Sequence, residues 1–441
     1  MLDIRTKFKQ FISDEKRYEN IIMMGLGMLV GMFTGIFSIA FNQTLSFFHG
    51  VLFYGIFQNV DLLMKYRLII VPLLGGLVVG FINKYMIGEV NEGFGVSQVL
   101  KELKYINRFL MKPKLVLIKL MGTIITLASN LSAGRQGPIV YLGGAIGSSI
   151  GYKFNFNERK IRILIGCGAA GSIAGVFNTP IAASIFVLEI LMNRDCLEYF
   201  TPIVISSITS VVITRSLIGD NTFLNISAKL GIINYYELGL YALLGITIGI
   251  AAVFYIKIID IAKKYIKKIH VSEVFHPVIG AAVVVTIGYF LPQIFDIEYG
   301  TIEKIVDERF GLKLLIAMFL GKALATAATL GSGGIGGVFL PGLYLGAAFG
   351  SIFGSVLNYY IPSSIYSVGT YSFVGMGAMF AAFADAPITA TLMLLELTDT
   401  YAIILPILLT CGIGSAITKL IYKKNIYNAL PIKDKKQYKK D

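Results

Sequence analysis

Two short glycine-rich motifs contain the residues best suited to binding chemistry. The first reads GRQGP (134–138) and the second reads GVFLP (337–341). Proline is favoured in the first turn of a helix, and glycine before it lets the backbone bend tightly. Each motif therefore predicts a helix N-terminus. The first N–H groups of a helix have no intrahelical acceptor, and the macrodipole adds partial positive charge, so two such ends can bind an anion.

The segments around these motifs are apolar enough for a membrane. The chain of 441 residues is 55% hydrophobic and 15% charged, against roughly 25% charged residues in soluble domains. This composition excludes a soluble enzyme, a disordered chain and a nucleic-acid-binding protein. The net charge of +13 reflects Lys and Arg near the termini and in loops, as membrane orientation requires. We predict an all-α polytopic membrane protein with no nucleic-acid partner.

The sequence contains an internal repeat. Residues 137–151 align without gaps on residues 340–354 at an offset of 203, and residues 178–191 align on residues 385–398 at an offset of 207. Several apolar segments are short or broken by Gly or Pro, which the bilayer tolerates only inside protein or along a cavity. Transporter repeats are often inverted and bind their substrate where the copies meet. We therefore predict two inverted repeats with many short, tilted or broken helices.

The basic residues and the repeat together predict the organisation of the chain. Lys and Arg precede the first apolar segment and follow the last one, so both termini are predicted to be cytoplasmic, in a multi-pass protein of the plasma or inner membrane. The predicted parts are a cytoplasmic N-terminal helix (1–20), a first membrane repeat (21–218), an external linker (219–236), a second membrane repeat (237–430) and a cytoplasmic basic tail (431–441).

Four charged residues inside or beside the apolar segments need an explanation. Lys119 lies fifteen residues before Gly134 in an apolar segment, so it is a functional candidate or a lysine that snorkels to an interface. Arg135 either braces its loop through carbonyl groups or acts directly on an anion. Glu189 and Glu396 occupy matched positions in the two repeats, and we interpret both as structural members of the repeat.

With these motifs in order, the sequence resembles the CLC family of chloride channels and chloride/proton antiporters over about residues 20–430. GFGVS (93–97) stands at the family's GSGIP-like motif, GRQGP (134–138) at its GREGP and GVFLP (337–341) at its GxFxP, and Tyr427 stands at its pore tyrosine. The resemblance implies a CLC-like fold and a homodimer with one anion path per subunit.

The resemblance also implies a set of site residues. Backbone amides would hold the anion, the Tyr427 hydroxyl would donate to it from the cytoplasmic side, and Lys119 would add positive potential to the path. The implied anion-binding positions are Gly93, Phe94, Gly95, Gly134, Arg135, Gln136, Gly137, Val338, Phe339, Leu340 and Tyr427.

Three positions depart from the family pattern. Gln136 replaces the gating glutamate, and its amide has no proton to exchange near pH 7. Ile190 stands at the proton-transfer glutamate of the antiporters, and Phe94 stands where many members have a serine that contacts the anion. Because it is neutral, Gln136 cannot block the anion path with a negative charge as a glutamate does. We therefore predict passive chloride flux that is uncoupled from protons.

Two alternatives within the family remain open. One is a chloride/proton or fluoride/proton antiporter with a non-standard proton path, and the other is a non-conducting member whose pore Phe94 occludes. An intramembrane enzyme is disfavoured, because His49, His270 and His276 lie near segment ends without metal-ligand spacing. We expect no catalytic residue, no metal and no cofactor, with the lipid bilayer and a small anion as partners. Backbone amides do not fix the choice among chloride, fluoride and nitrate.

Overall fold

The protein is described from a computed structural model. It describes residues 19–55, 61–88, 95–104, 111, 113–192, 200–219, 224, 226–233, 235–295, 299–361, 367–398, 401–423 and 425–429. Gly93 and Phe94 of the predicted site lie outside the described residues, as do nearly all of the predicted N-terminal helix (1–20) and the whole predicted tail (431–441).

Eight helices form the first half of the described chain. They are α1 Glu19–Gly50, α2 Asp61–Phe81, α3 Val96–Lys104, α4 Pro113–Ala128, α5 Gln136–Lys153, α6 Glu158–Phe177, α7 Pro180–Phe186 and α8 Phe200–Ile218. Short π-helical turns at Val51–Gly55, Ile82–Ile87 and Val187–Leu191 extend α1, α2 and α7.

Nine helices form the second half. They are α9 Glu237–Ile266, α10 His276–Phe290, α11 Gly300–Val306, α12 Leu312–Gly331, α13 Phe339–Tyr360, α14 Val368–Ala384, α15 Pro387–Thr398, α16 Ile404–Ile421 and α17 Ile426–Ala429. Within the described residues, nine helical segments are long and apolar enough to cross a membrane. The prediction of an all-helical membrane protein with long and short helices is confirmed.

The chain breaks at matched points in the two halves. The apolar stretch 161–192, which reads as one segment in the sequence, is split where Asn178 takes φ 59° and Pro180 begins α7. The second half repeats this break where Asp385 takes φ 59° and Pro387 begins α15. Asn and Asp adopt the left-handed conformation more readily than other residues with a side chain, and proline suits the first turn of a helix.

Glycines allow the helix pairs that flank these breaks to pack at close range. At the α5–α6 contact Gly143 faces Gly168, and at the α13–α14 contact Gly346 faces Gly375. A Cβ atom at any of these four positions would collide with the carbonyl oxygen of the facing glycine. The two pairs correspond at the offsets of 203 and 207 found in the sequence, so the sequence repeat is also a repeat in packing.

Each of the two matched glutamates caps a helix in the opposite half of the chain. Glu189 of the first half accepts hydrogen bonds from the backbone N–H groups of Ile388 (3.2 Å) and Thr389 (2.8 Å), at the start of α15. Glu396 of the second half accepts from Ile181 (2.9 Å) and Ala182 (2.7 Å), at the start of α7. A carboxylate at a helix N-terminus satisfies donors that the helix itself leaves open and complements its dipole. This geometry supports a structural role for both glutamates.

Replacing Glu189 with glutamine is expected to destabilise the protein by about 1–3 kcal/mol, because the Ile388 and Thr389 donors lose a charged acceptor. Glu396→Gln should have a similar effect, since the contact is reciprocal. The apparent melting temperature of the purified protein in detergent measures both changes. Glu273→Gln is the matched control, because Glu273 is exposed. Unchanged melting temperatures in both variants would contradict the capping role.

Candidate functional site

The two glycine-rich motifs, about two hundred residues apart in the chain, meet in the folded protein. Gly134 and Gly337 exchange two backbone hydrogen bonds in an antiparallel bridge, N of Gly134 to O of Gly337 at 2.7 Å and N of Gly337 to O of Gly134 at 2.6 Å. α5 begins at Gln136 and α13 begins at Phe339, each two residues beyond its glycine. The bridge therefore brings two helix N-termini from opposite halves to one point, which we call the junction.

A second pair of exchanged hydrogen bonds supports the junction. The N–H of Ser132 donates to Thr329 Oγ1 at 3.1 Å, and the N–H of Ile335 donates to Thr126 Oγ1 at 3.3 Å. Ser132 and Ile335 correspond at the offset of 203, as do Thr126 and Thr329. The loops before α5 and α13 are thus held by the same contacts in the two halves.

The described part of the GFGVS motif (93–97) lies against the GRQGP motif (134–138). Gly95 has φ 74°, and a Cβ at this residue would lie 2.6 Å from the Cα of Gly137. Both observations require glycine, because the backbone is left-handed and no space remains for a side chain. α3 begins at the next residue, Val96, so a third helix starts beside the junction.

An internal cavity of about 180 Å³ lies at the junction. Its lining includes residues from both halves and from the C-terminal end of the chain, among them Val96, Lys119, Gln136, Val338, Phe339 and Tyr427. The lining is mostly apolar apart from a few polar groups, which is the usual composition of a small-ligand site. Tyr427 lies on α17, is 8% exposed and belongs to the cavity lining, and its donation to an anion stays a prediction.

One predicted donor is occupied within the protein. The Gly134 amide donates to Gly337, so the expectation that it binds an anion is wrong. The reason is tertiary, because the acceptor lies in the other half of the chain. The first amides of α5 follow at Arg135, Gln136 and Gly137, and those of α13 lie at Val338, Phe339 and Leu340. As first amides of a helix, they have no acceptor within their own helix.

The Gln136 side chain folds over the junction. It is 6% exposed, and neither Oε1 nor Nε2 has a hydrogen-bonding partner among the described residues. A Cβ placed on Gly134 would lie 2.5 Å from Oε1 of Gln136 and 3.2 Å from the amide nitrogen of Leu340. The position expected for a gate is therefore occupied by a buried neutral amide in the same cavity lining as the start of α13.

Lys119 points into the protein and not towards an interface. It is 1% exposed, its Nζ donates to Gln98 Oε1 at 2.6 Å, and it lies 5.7 Å from the ring centre of Tyr141. Snorkelling is therefore wrong for this lysine, because the helices around it exclude water. Its place in the cavity lining supports an electrostatic role.

Arg135 is turned away from the cavity lining. It donates to Asn42 Oδ1 of α1 at 3.2 Å, and its guanidinium carbon lies 5.9 Å from the ring centre of Tyr299. These contacts favour the bracing role over a direct contact with an anion. The braced partner is a side-chain amide of α1, whereas the sequence suggested loop carbonyls. Ile190, at the position of the missing proton-transfer glutamate, is buried in the Val187–Leu191 turn.

Two further buried residues with polar contacts were not singled out by the sequence. Lys322 is 3% exposed, donates to the Ile294 carbonyl at 2.8 Å and lies 4.9 Å from the ring centre of Tyr344. It corresponds to Lys119 at the offset of 203, as Tyr344 corresponds to Tyr141, so extending the repeat alignment would have identified it. Tyr255 of α9 donates to the Val338 carbonyl at 3.0 Å, and no sequence motif marks it.

Comparison with known proteins agrees with this arrangement. A family model described as "Voltage gated chloride channel" matches residues 75–419. The H(+)/Cl(−) exchange transporter ClcA of Vibrio campbellii is 27% identical over 436 residues, which cover 96% of this chain and 91% of that protein. ClcA of Vibrio parahaemolyticus is 30% identical over 325 residues, with coverages of 71% and 68%. The putative chloride channel protein ClcB-like of Ralstonia nicotianae is 26% identical, with coverages of 89% and 92%.

Solved structures share the fold. A slow cyanobacterial Cl⁻/H⁺ antiporter superposes with a TM-score of 0.82 at 23% identity, over 92% of this chain and 96% of that chain. A CLC-type fluoride/proton antiporter superposes with a TM-score of 0.74 at 19% identity, over 94% and 98%.

The many long apolar helices define a multi-pass membrane protein, and the matching family model and relatives are those of anion transporters. The chain belongs to the voltage-gated chloride channel family, the CLC family. The family resemblance inferred from the motifs is confirmed.

Proposed function

We propose that chloride, or another small anion of similar charge, crosses the membrane through the cavity at the junction. The observation that supports this proposal most directly is the reciprocal bridge between Gly134 and Gly337, which places the starts of α5 and α13 together. The positive ends of two helix dipoles stabilise an anion there while leaving it free to move on. We further propose a homodimer with one path per subunit and cytoplasmic termini.

Proton-coupled exchange is our first candidate for the mode of transport. Relatives that align with most of this chain are named H(+)/Cl(−) exchange transporters. They favour the coupled alternative over the uncoupled flux that was our main expectation. Exchange in this chain needs a proton-binding group other than Gln136 and Ile190, because neither side chain titrates.

Uncoupled anion flux is the second candidate, and a specific observation favours it. The buried side-chain amide of Gln136 lines the same cavity as the start of α13 and carries no charge. A carboxylate in that place competes with the anion and exchanges a proton, whereas an amide does neither. In this mode the anion moves along its own electrochemical gradient.

Flux measurements on purified protein in liposomes test the proposal. Chloride efflux and proton movement are recorded together, with and without a protonophore. A proton gradient that alone drives chloride uphill identifies exchange. Chloride efflux without proton movement identifies the uncoupled mode. The absence of flux for chloride, fluoride and nitrate would contradict anion transport and favour the non-conducting alternative.

A further inference from the structure

A buried carboxyl group lies close to the proposed anion path but outside the cavity lining. Glu102 of α3 is 7% exposed, and its Oε2 is buried with no hydrogen-bonding partner among the described residues. α3 packs against α5, against the Val187–Leu191 turn and against α17. These three elements carry the anion motif, the missing proton-transfer position and the pore tyrosine. Glu102 therefore lies on a helix that packs against the elements assigned to the transport site.

Two lysines act on the Glu102 carboxyl group. Lys101 precedes it on α3, and the charge of Lys119 on α4 also acts on it. Loss of water on burial nevertheless raises the pKa of Glu102 to about 7, against the opposing effect of these two cations. Such a carboxyl group changes its charge in the range in which an internal proton carrier works.

The elements that pack against α3 also carry three phenols and a glutamate. Tyr141 and Tyr152 of α5 and Tyr427 of α17 are phenols, which are neutral there. Glu189, in the turn that packs on α3, is held as a helix cap by the start of α15. The net charge of the Glu102 and Lys119 pair therefore depends on whether Glu102 carries a proton.

We propose that Glu102 binds and releases a proton in step with anion occupancy of the cavity, and that Lys119 links the two events. This inference rests on the proposed anion site at the junction. It assigns this chain a titratable group on α3, whereas its residues 136 and 190 have none.

The link follows from the charges. When Glu102 is ionised, it offsets the field of Lys119, which lines the cavity, and it repels an anion there. When Glu102 is protonated, the positive charge of Lys119 acts on the anion without this offset. Linkage is reciprocal, so a bound anion must favour the protonated form of Glu102 by the same factor. If protonation of Glu102 is coupled to anion binding, the protein must therefore take up protons when an anion binds.

Chloride binding to the purified full-length protein in detergent tests the inference. Sodium chloride is titrated into a weakly buffered chloride-free solution near pH 7, and the change in pH is recorded. We expect the wild-type protein to take up protons on chloride binding, with a dissociation constant about fivefold higher at pH 8 than at pH 6. In Glu102→Gln we expect chloride binding that is free of proton uptake and independent of pH between pH 5.5 and pH 7, the range in which Lys119 keeps its charge. Glu273→Gln, at an exposed carboxylate, should behave as the wild type.

A second variant keeps the test independent of the folding of Glu102→Gln. Lys119→Gln retains Glu102 but removes a cation that favours its ionised form. Glu102 should then stay protonated over more of this range, so chloride should bind more weakly and with little dependence on pH. Proton uptake that persists in Glu102→Gln would overturn the inference, as would equal wild-type affinities at pH 6 and pH 8, and both results would leave the anion site intact. Absence of chloride binding in the wild type would instead overturn the proposed function, and this inference with it.

Discussion

Replacing Gln136 with glutamate is expected to make anion flux strongly dependent on pH. A carboxylate at residue 136 would lie at the start of α5, in the lining of the cavity that the start of α13 also lines, and would compete with the anion for the first amides of these helices. Two negative charges in a partly buried site repel each other by more than the 1.4 kcal/mol that corresponds to a tenfold effect. We therefore expect flux at least about tenfold lower at pH 8 than at pH 5, with flux recovering as the carboxyl group is protonated.

Chloride efflux from liposomes across this pH range measures the effect. Gln136→Ala is the matched control, because it removes the amide without adding a charge, and its pH profile should remain that of the wild type. A Gln136→Glu profile that is identical to the wild-type profile would show that residue 136 does not face the anion path.

Replacing Gly337 with valine is expected to reduce anion flux strongly. A Cβ at Gly337 would lie 3.1 Å from the amide nitrogen of Gly137 and 3.2 Å from the carbonyl oxygen of Gly134. The branched side chain needs more room than this, so the two loops must separate and lose their hydrogen bonds of 2.6 and 2.7 Å. The starts of α5 and α13 would then no longer point at one cavity. We expect flux to fall by about a hundredfold, the scale of effect that follows from misplacing a functional group by about 1 Å.

The matched control for this variant is Gly412→Val. Gly412 lies on α16, and a Cβ there meets nothing within 4 Å, so flux and expression should stay near those of the wild type. Gly134→Val should reproduce the loss, because Gly134 is the partner in the same bridge. Size-exclusion chromatography of each variant separates a loss of transport from a loss of folding. Normal flux in a folded Gly337→Val variant would contradict an anion path through the junction.

The coupling mode and the junction are separate questions, and the variants address them separately. Gly337→Val tests the path in either mode. Gln136→Glu tests whether a titratable group at the gate imposes pH dependence, and Glu102→Gln tests whether the wild type already has such a group elsewhere. If only Gly337→Val loses flux, the proposed anion site at the junction is supported. The flux measurements on the wild type then decide between exchange and uncoupled transport.

The amino-acid sequence by itself determined the helical membrane class, the repeat and the helix starts at GRQGP and GVFLP. These are local properties, because hydrophobic segment length, proline position and glycine spacing act within a few residues. The family resemblance followed from the same motifs. The boundaries of the two repeats, the dimer and the position of the termini remain predictions.

The tertiary structure alone decided which groups are partners. The Gly134 amide is occupied by Gly337, Glu189 and Glu396 cap helices of the opposite half, and Lys119 is buried beside Gln98. Glu102 belongs to no sequence motif. It became a candidate only because α3 and the elements packed against it exclude water from its carboxyl group. Hydrogen bonds across about two hundred residues and desolvation depend on packing, which no local pattern of residues encodes.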